Sequence, residues 1–274
     1  MTARLASGLL RSRVGLAGVV MSAGVVLLGL LGGAVAPADP FVPAGGALQP
    51  PGAGHLFGTD DLGRDVLSGV LHGARISLLV GVVTAATAAV LGTAIGATAG
   101  FYGGGTDDLL MRLTEFVQVI PRFFLAVLVA ALFGPSIVFL VLLFGLTFWP
   151  GTARLVRSQV LSLREREYVV AARALGLRDG RILVRHILPN VLAVVLVSGA
   201  LQVGAAILIE ASLSFLGLGD RTVVSWGYML NNAQPFLRSA PWLSVFPGLA
   251  LVITVLGTNL LADGLQATWE RPRT

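Results

Sequence analysis

Residues 123–153, FFLAVLVAALFGPSIVFLVLLFGLTFWPGTA, decide how this chain folds, because they hold no charged side chain over 31 positions. A helix that crosses a bilayer needs about 20 residues, so the run is too long for one crossing and too short for two. A Gly-Pro pair at 134–135 stands inside the run, and such a pair breaks helices. We therefore predict two spanning helices, over 107–133 and 136–163, each with one charged end outside the hydrocarbon.

The composition places the whole chain in the same environment. Hydrophobic residues make up 55% of the 274 positions and the mean hydropathy is +0.85. Charged residues make up only 12%, against about 25% in soluble domains. The chain has no cysteine, which excludes disulfides, thiolate nucleophiles and Cys-ligated metals. All 19 basic residues are arginine.

Four further apolar runs extend the prediction to six spans, over 14–36, 76–106, 190–215 and 241–262. A secretory signal peptide is the competing reading of the first run, because Ala34-Val35-Ala36 resembles a cleavage site. The run is longer than an ordinary signal-peptide core and Pro37 would follow the cut, so we favour a retained anchor.

The segments between the first two spans are predicted to lie outside the membrane. Residues 37–54 are rich in Pro and Gly and predict an extended external loop. Residues 60–75 carry apolar side chains at helical spacing, which predicts a short amphipathic helix on the membrane surface.

The arginines test the number of spans. With six spans and the N-terminus inside, 15 arginines fall on the inside, Arg122 among them, and four on the outside. Merging the third and fourth spans would move the eight arginines between 154 and 185 outside, against the positive-inside bias. We therefore expect both termini in the cytoplasm.

The segment 164–190, REREYVVAARALGLRDGRILVRHILPN, is the inside loop between the fourth and fifth spans. We predict a helix over 163–175 ended by Gly176, a second helix over 180–188 capped by Asp179, and Pro189 as the start of the next span. Small alanines in the first helix would let another protein approach closely. From the residues alone, an arginine-rich loop held to anionic lipid headgroups is an equally good interpretation.

This loop resembles the EAA loop of ATP-binding cassette importer permeases, in which E-A-A is followed by three residues, Gly, nine residues and I-x-L-P. The matching positions are Ala171-Ala172, Gly176 and Leu188-Pro189. Two positions depart from the pattern: Val170 replaces the Glu and His186 replaces the Ile.

Three more stretches resemble the dipeptide, oligopeptide and nickel branch of that family: FGTDDLGRD at 57–65, FYGG at 101–104 and EASLSFLGLG at 210–219. The likeness runs from about residue 55 to 270. It implies an all-α, six-helix type I importer permease fold. It divides the chain into 1–54, with the cytoplasmic tail, first span and external loop, and a permease core of 55–274 containing a coupling loop at about 164–189.

The resemblance implies a C-type permease subunit of an importer for peptides or a related solute, such as nickel or another metal chelate, in the inner membrane of a prokaryote. The implied partners are a homologous permease in a heterodimer, two ATP-binding subunits, an extracytoplasmic substrate-binding protein and membrane lipid, with no nucleic acid. The residues implied in coupling to the ATPase are Ala171, Ala172, Gly176, Leu177, Arg181, Leu188 and Pro189.

The absence of lysine predicts that this chain does not itself hydrolyse ATP. A P-loop uses a lysine to reach the nucleotide phosphates, and the sequence has none. Hydrolysis would therefore take place on other subunits, and we expect neither catalytic residues nor a cofactor here.

Glu210 is the single acid in the uncharged stretch between 185 and 219. It lies about 30 Å along the helix from Asn190, near the outer interface. We favour a structural or gating contact over direct contact with the solute. Trp226, Tyr228 and Trp242 are expected in an interfacial aromatic belt.

Two other function classes are weaker. A secondary transporter often shows internal repeats and midplane charges, and the sequence reveals neither. An intramembrane enzyme needs a nucleophile and base within the spans, where no His or Cys is predicted. His55, His72 and His186 fall on separate segments, so we expect no metal site.

Overall fold

A computed structural model describes Leu9 and residues 12–270, and within this part of the chain every regular element is a helix, as an all-α fold requires. The helices are α1 Arg13–Val35, α2 Val66–Tyr102, α3 Gly104–Val119, α4 Arg122–Phe133, α5 Ile137–Arg164, α6 Glu167–Ala174, α7 Asp179–Phe215, α8 Trp226–Ala233 and α9 Trp242–Glu270. Helices α1, α2, α5, α7 and α9 are long and apolar enough to cross a membrane, and the bent pair α3–α4 makes the sixth span.

The predicted surface helix over 60–75 is wrong. Residues 60–64 form a turn, and α2 begins at Val66 and continues without a break for 37 residues. Asp65 caps its start, because Oδ2 accepts from the backbone N–H and the hydroxyl of Ser68, both at 2.8 Å. No proline interrupts the helix. At about 55 Å it is longer than the hydrocarbon is thick, so it can continue beyond the membrane.

The predicted single helix over 107–133 is also wrong, because α3 and α4 meet at a bend of 68°. Pro121 has no N–H to donate and disfavours a helical conformation at the residue before it. Ile120 is accordingly extended, with φ −74° and ψ 119°. The predicted break between the third and fourth spans is confirmed: Gly134 has φ +82° and α5 starts at Ile137.

Helix α2 packs most extensively against α5, and small residues allow the close approach. A Cβ on Gly96 would overlap the carbonyl oxygen of Ala153, and one on Gly92 would overlap the side chain of Thr152. Thr152 also bonds to Ser198 and Gln202 of α7, at 3.2 and 2.6 Å. These contacts make α2, α5 and α7 one packed unit, on which α1 and α9 lie.

The outer end of α5 is held by a loop. The Oδ2 atom of Asp220 accepts from the backbone N–H of Ile137 at 3.1 Å, and Oδ1 accepts from Thr222. Burial by itself would raise the pKa of Asp220, but the bonds from Thr222 and Ile137 outweigh it, and the pKa lies below its usual range. The carboxylate is therefore a suitable charge for the positive N-terminal end of α5.

Candidate functional sites

The loop at 164–189 folds as two short arms. Helix α5 ends at Arg164, the chain turns at Glu165 and Arg166, and α6 begins at Glu167. The predicted helix over 163–175 is therefore two pieces, since residue 163 still belongs to α5. After α6, the chain reverses and enters α7 at Asp179.

Gly176 makes this reversal as predicted. Its φ is +78°, and its N–H donates to the carbonyl of Arg173 at 3.0 Å. The N–H of Leu177 donates to the carbonyl of Ala172 at 3.2 Å. These two bonds form the Schellman motif, which satisfies the last carbonyls of a helix.

The predicted second helix over 180–188 differs from the structure at both of its ends. Arg178 occupies the cap position, and Asp179 is already the first helical residue. An α-helical segment starts at Leu188 with Pro189 in its first turn, as predicted, but it is continuous with the preceding turns, so one helix runs from Asp179 to Phe215. A π-helical turn at Leu183–Ile187 precedes the proline, and the N–H of Leu188 bonds to the carbonyl of Leu183. Pro189 has no backbone N–H to donate, and the wider turn accommodates this missing donor.

One side of the loop is buried and the other is exposed. Val169, Ala172, Ile182 and Ile187 pack in a cluster with α5 and α7 side chains that include Val156. The predicted coupling residues divide accordingly: Ala172 is buried, Leu177, Leu188 and Pro189 are half-buried, and Ala171, Gly176 and Arg181 are exposed.

The exposed side of the loop carries apolar side chains that are not among the coupling residues implied by the resemblance. Leu175 is 80% exposed, Val184 63% and Val170 55%. Together with Tyr168 they form what we name the loop patch. The sequence signal for it was available, because these are apolar residues among arginines and acids, outside any predicted span.

Arginines tie the loop to the inner end of α2. Arg164 donates from Nη1 to the carbonyl of Gly100 at 2.9 Å. The guanidinium of Arg173 lies 5.7 Å from the ring centre of Phe101 and pairs with Asp179 at 3.6 Å. The FYGG stretch thus contacts the loop directly.

Glu210 lies five positions before the end of α7 and is 1% exposed. Its Oε1 accepts from the hydroxyls of Ser214, at 2.7 Å, and Ser225, at 2.8 Å. Within residues 12–270, its Oε2 has no hydrogen-bond partner. Ser225 also caps α8 by accepting from the N–H of Tyr228, so Glu210 joins the outer end of α7 to α8.

Beside this junction lies a polar cleft between α7, the following loop and α8, lined in part by Ser214, Arg221 and Asn231. Trp226 packs nearby and does not belong to an aromatic belt. It is 2% exposed and donates from its indole N–H to the carbonyl of Val70 at 2.9 Å. The depth in the membrane that the sequence predicts for Trp226 could not distinguish an interfacial ring from one buried between helices.

Arg122, which the six-span count placed on the inside, lies beside the interior of α5. It follows the bend between α3 and α4, and its Nε donates to the carbonyl of Thr147 at 3.0 Å. Its guanidinium lies 4.5 Å from the ring centre of Phe148. Thr147 and Phe148 are in the interior of α5, so the chain does carry a charge within a span.

Comparisons with known proteins agree with these features. Residues 92–272 match the family described as "binding-protein-dependent transport system inner membrane component". The chain is 44% identical to the dipeptide transport system permease protein DppC of Alkalihalophilus pseudofirmus, over 80% of this chain and 72% of that protein. It is 42% identical to the oligopeptide transport system permease protein OppC of Haemophilus influenzae, over 77% and 68%. It is 40% identical to the glutathione transport system permease protein GsiD of Pectobacterium atrosepticum, over 79% and 72%.

Proposed function

Because the chain belongs to the family of binding-protein-dependent transport system inner membrane components, as a C-type permease of an ATP-binding cassette peptide importer, we propose that its loop at 164–189 couples solute passage to ATP hydrolysis on separate subunits. The protein is a multi-pass inner membrane protein. ATPase and substrate-binding partners belong to such a system.

The loop patch is the observation that carries this proposal. A group of exposed apolar side chains on a loop predicted to lie outside the hydrocarbon supports a surface that another protein covers. Leu175 stands next to the reversal at Gly176, and Ala171 and Arg181 of the same loop are exposed as well. An anionic membrane surface would suit the arginines of this loop, and the cross-linking experiment described below distinguishes that alternative from an ATPase subunit.

The buried side of the loop supplies the mechanical connection. Val169 and Ile182 are fully buried against Val156 and Val160 of α5 and Val191 of α7. A force on the loop patch therefore acts on two spanning helices at once, because close-packed side chains transmit displacement rather than absorb it. Leu177 and Leu188 are partly buried and pack against this cluster, and Pro189 is half-buried next to Leu188 in the chain.

We propose a peptide as the solute. The relatives are named for dipeptides, oligopeptides and glutathione, and all three share the peptide group. A nickel or other metal chelate is the narrower alternative. The relatives named above give no support to a secondary transporter.

We propose that the bent span α3–α4 faces a homologous permease in a heterodimer. Beyond its connection to α2, it contacts the rest of the chain chiefly through α5. Phe116, Phe124 and Leu132 are left at 69%, 72% and 69% exposure. Other exposed apolar side chains on the spans, such as Leu30, suit membrane lipid. Both termini are proposed to be cytoplasmic, with the core at 55–274 and the first span in 1–54.

Cysteine cross-linking tests the docking proposal directly, because the chain has no native cysteine. Leu175→Cys is expected to cross-link to the ATPase subunit in the assembled importer. Leu56→Cys is the matched control, since Leu56 is 67% exposed and lies between the first two spans, on the predicted external side. Equal cross-linking at both positions, or none at position 175, would contradict the proposal.

A further inference from the structure

The spanning helix that Arg122 contacts indicates a depth near the middle of the membrane for its guanidinium. Thr147, which accepts its Nε–H, is ten positions after the outer start of α5 at Ile137, or about 15 Å along the helix axis. That is about half the thickness of a hydrocarbon layer. Charged side chains at such depth are rare, costly and usually functional.

The surrounding helix holds the guanidinium in place. Pro150 cannot donate to the carbonyl of Leu146, and the indole N–H of Trp149 donates to that oxygen instead, at 3.0 Å. The carbonyl of Thr147, in the same turn, accepts from Arg122, and the ring of Phe148 lies against its guanidinium. These contacts fix the side chain near the midplane, so it does not extend towards the headgroups as a free arginine would.

The outer edge of the guanidinium is left open. Arginine has five N–H donors, and the bond to Thr147 uses the one on Nε. Among the described residues, none forms a hydrogen bond or ion pair with Nη1 or Nη2. Asp107, an acid of the same bent span, is already paired with Arg157. The side chain is half-buried, so part of it is exposed at the surface of the chain.

We propose that Arg122 binds a carboxylate supplied from outside the chain, and that this carboxylate is the C-terminal group of the peptide in transit. The inference rests on the proposed function. A planar fork of donors matches a carboxylate in two parallel bonds. The C-terminal carboxylate is common to all unmodified linear peptides, so one arginine can recognise solutes that differ in every side chain. An acidic residue of the partner permease is the second source of the same chemistry.

The test uses the assembled importer in vesicles with its binding protein saturated by a peptide or by the same peptide amidated at its C-terminus. Arg122→Gln is compared with wild type and with Arg112→Gln, which makes the same change at an exposed arginine of the same span. Arg122→Gln is expected to slow uptake of the free acid by about tenfold or more and to leave the amide unchanged. Arg122→Lys should be intermediate, because it keeps the charge and loses the fork.

The other outcomes separate the two sources. If Arg122→Gln lowers recovery of the partner permease with the tagged chain and slows both peptides alike, the carboxylate belongs to the partner. If the acid-to-amide ratio and the recovery of the partner both match wild type, Arg122 binds no carboxylate and the inference is overturned. Wild type that imports neither peptide would refute the peptide assignment itself, and the recovery of the partner would still decide the second source.

Discussion

Glu210 shows how far single residues could be placed from the sequence. Its position near the outer end of α7 followed from the rise per residue of a helix. Its partner Ser225 could not be predicted, because it lies 15 positions away in another element. The expectation that Trp226 lies in an aromatic belt failed for the same reason, because its burial depends on the carbonyl of Val70 in α2. Contacts of this kind are tertiary, and no local pattern encodes them.

We predict that Glu210→Gln changes the rate of peptide uptake and leaves the ranking of competing peptides unchanged. The amide oxygen can still accept from both serines, so the junction of α7 and α8 stays folded while the carboxylate is lost. Ser212→Ala is the control on the same helix, since its hydroxyl bonds only to the carbonyl of Leu208. Competition assays in vesicles give both quantities. A changed ranking would place Glu210 in the solute pathway.

Among the elements, those with a local stop signal were predicted well. Glycine, proline or the end of an apolar run predicted the break at Gly134, the C-terminal ends of α5 and α7, and the reversal at Gly176. The bend at Pro121 has the same kind of signal but was missed, because the span was drawn from its charges alone. The continuous α2 was missed for a different reason. Its N-terminal part has an amphipathic pattern because other helices cover one of its sides, and this pattern was interpreted as a separate surface helix.

We predict that Gly96→Ala destabilises the protein by roughly 1–3 kcal/mol, because its Cβ would overlap the carbonyl oxygen of Ala153 and separate α2 from α5. Gly199→Ala is the control, since a Cβ there meets no atom within 4 Å and alanine favours a helix. Thermal unfolding in detergent should show a lower midpoint for Gly96→Ala alone. Equal midpoints for the two variants would show that the α2–α5 contact does not require glycine.

For the whole molecule, arginine placement predicted six spans without knowledge of any contact. One of its inside positions, Arg122, lies beside the interior of a spanning helix, and Arg4, Arg11, Arg271 and Arg273 lie outside the described residues. The eight arginines between 154 and 185 were sufficient, because only a break near residue 134 puts them on the inside. What this reasoning could not give is the order in which the spans pack, which depends on small residues such as Gly96 meeting their partners.

We predict that an impermeant thiol reagent added to intact cells labels Gly46→Cys and Ser239→Cys but not Gly176→Cys. All three positions are exposed, so accessibility from the outside is what separates them. Permeabilised cells provide the control, in which all three should react. Labelling of position 176 in intact cells would contradict the six-span topology.

The central claim is that the loop at 164–189 transmits ATP hydrolysis to the spans, and Gly176 tests it most directly. A valine there must adopt a φ of +78°, which strains a β-branched residue by about 1–3 kcal/mol. The space around Gly176 is open, so the strain acts on the angle between α6 and α7 and not on core packing. Gly176→Asn should be milder, because asparagine tolerates this conformation. Gly105→Val changes an exposed glycine outside the loop.

The measurement is ATP hydrolysis and peptide uptake in the same vesicles, with and without loaded binding protein. Gly176→Val is expected to insert in the membrane and to lose both the stimulation of hydrolysis and the uptake. Gly105→Val should match wild type, and Gly176→Asn should retain part of both activities. Normal stimulation and normal uptake in Gly176→Val would contradict the account.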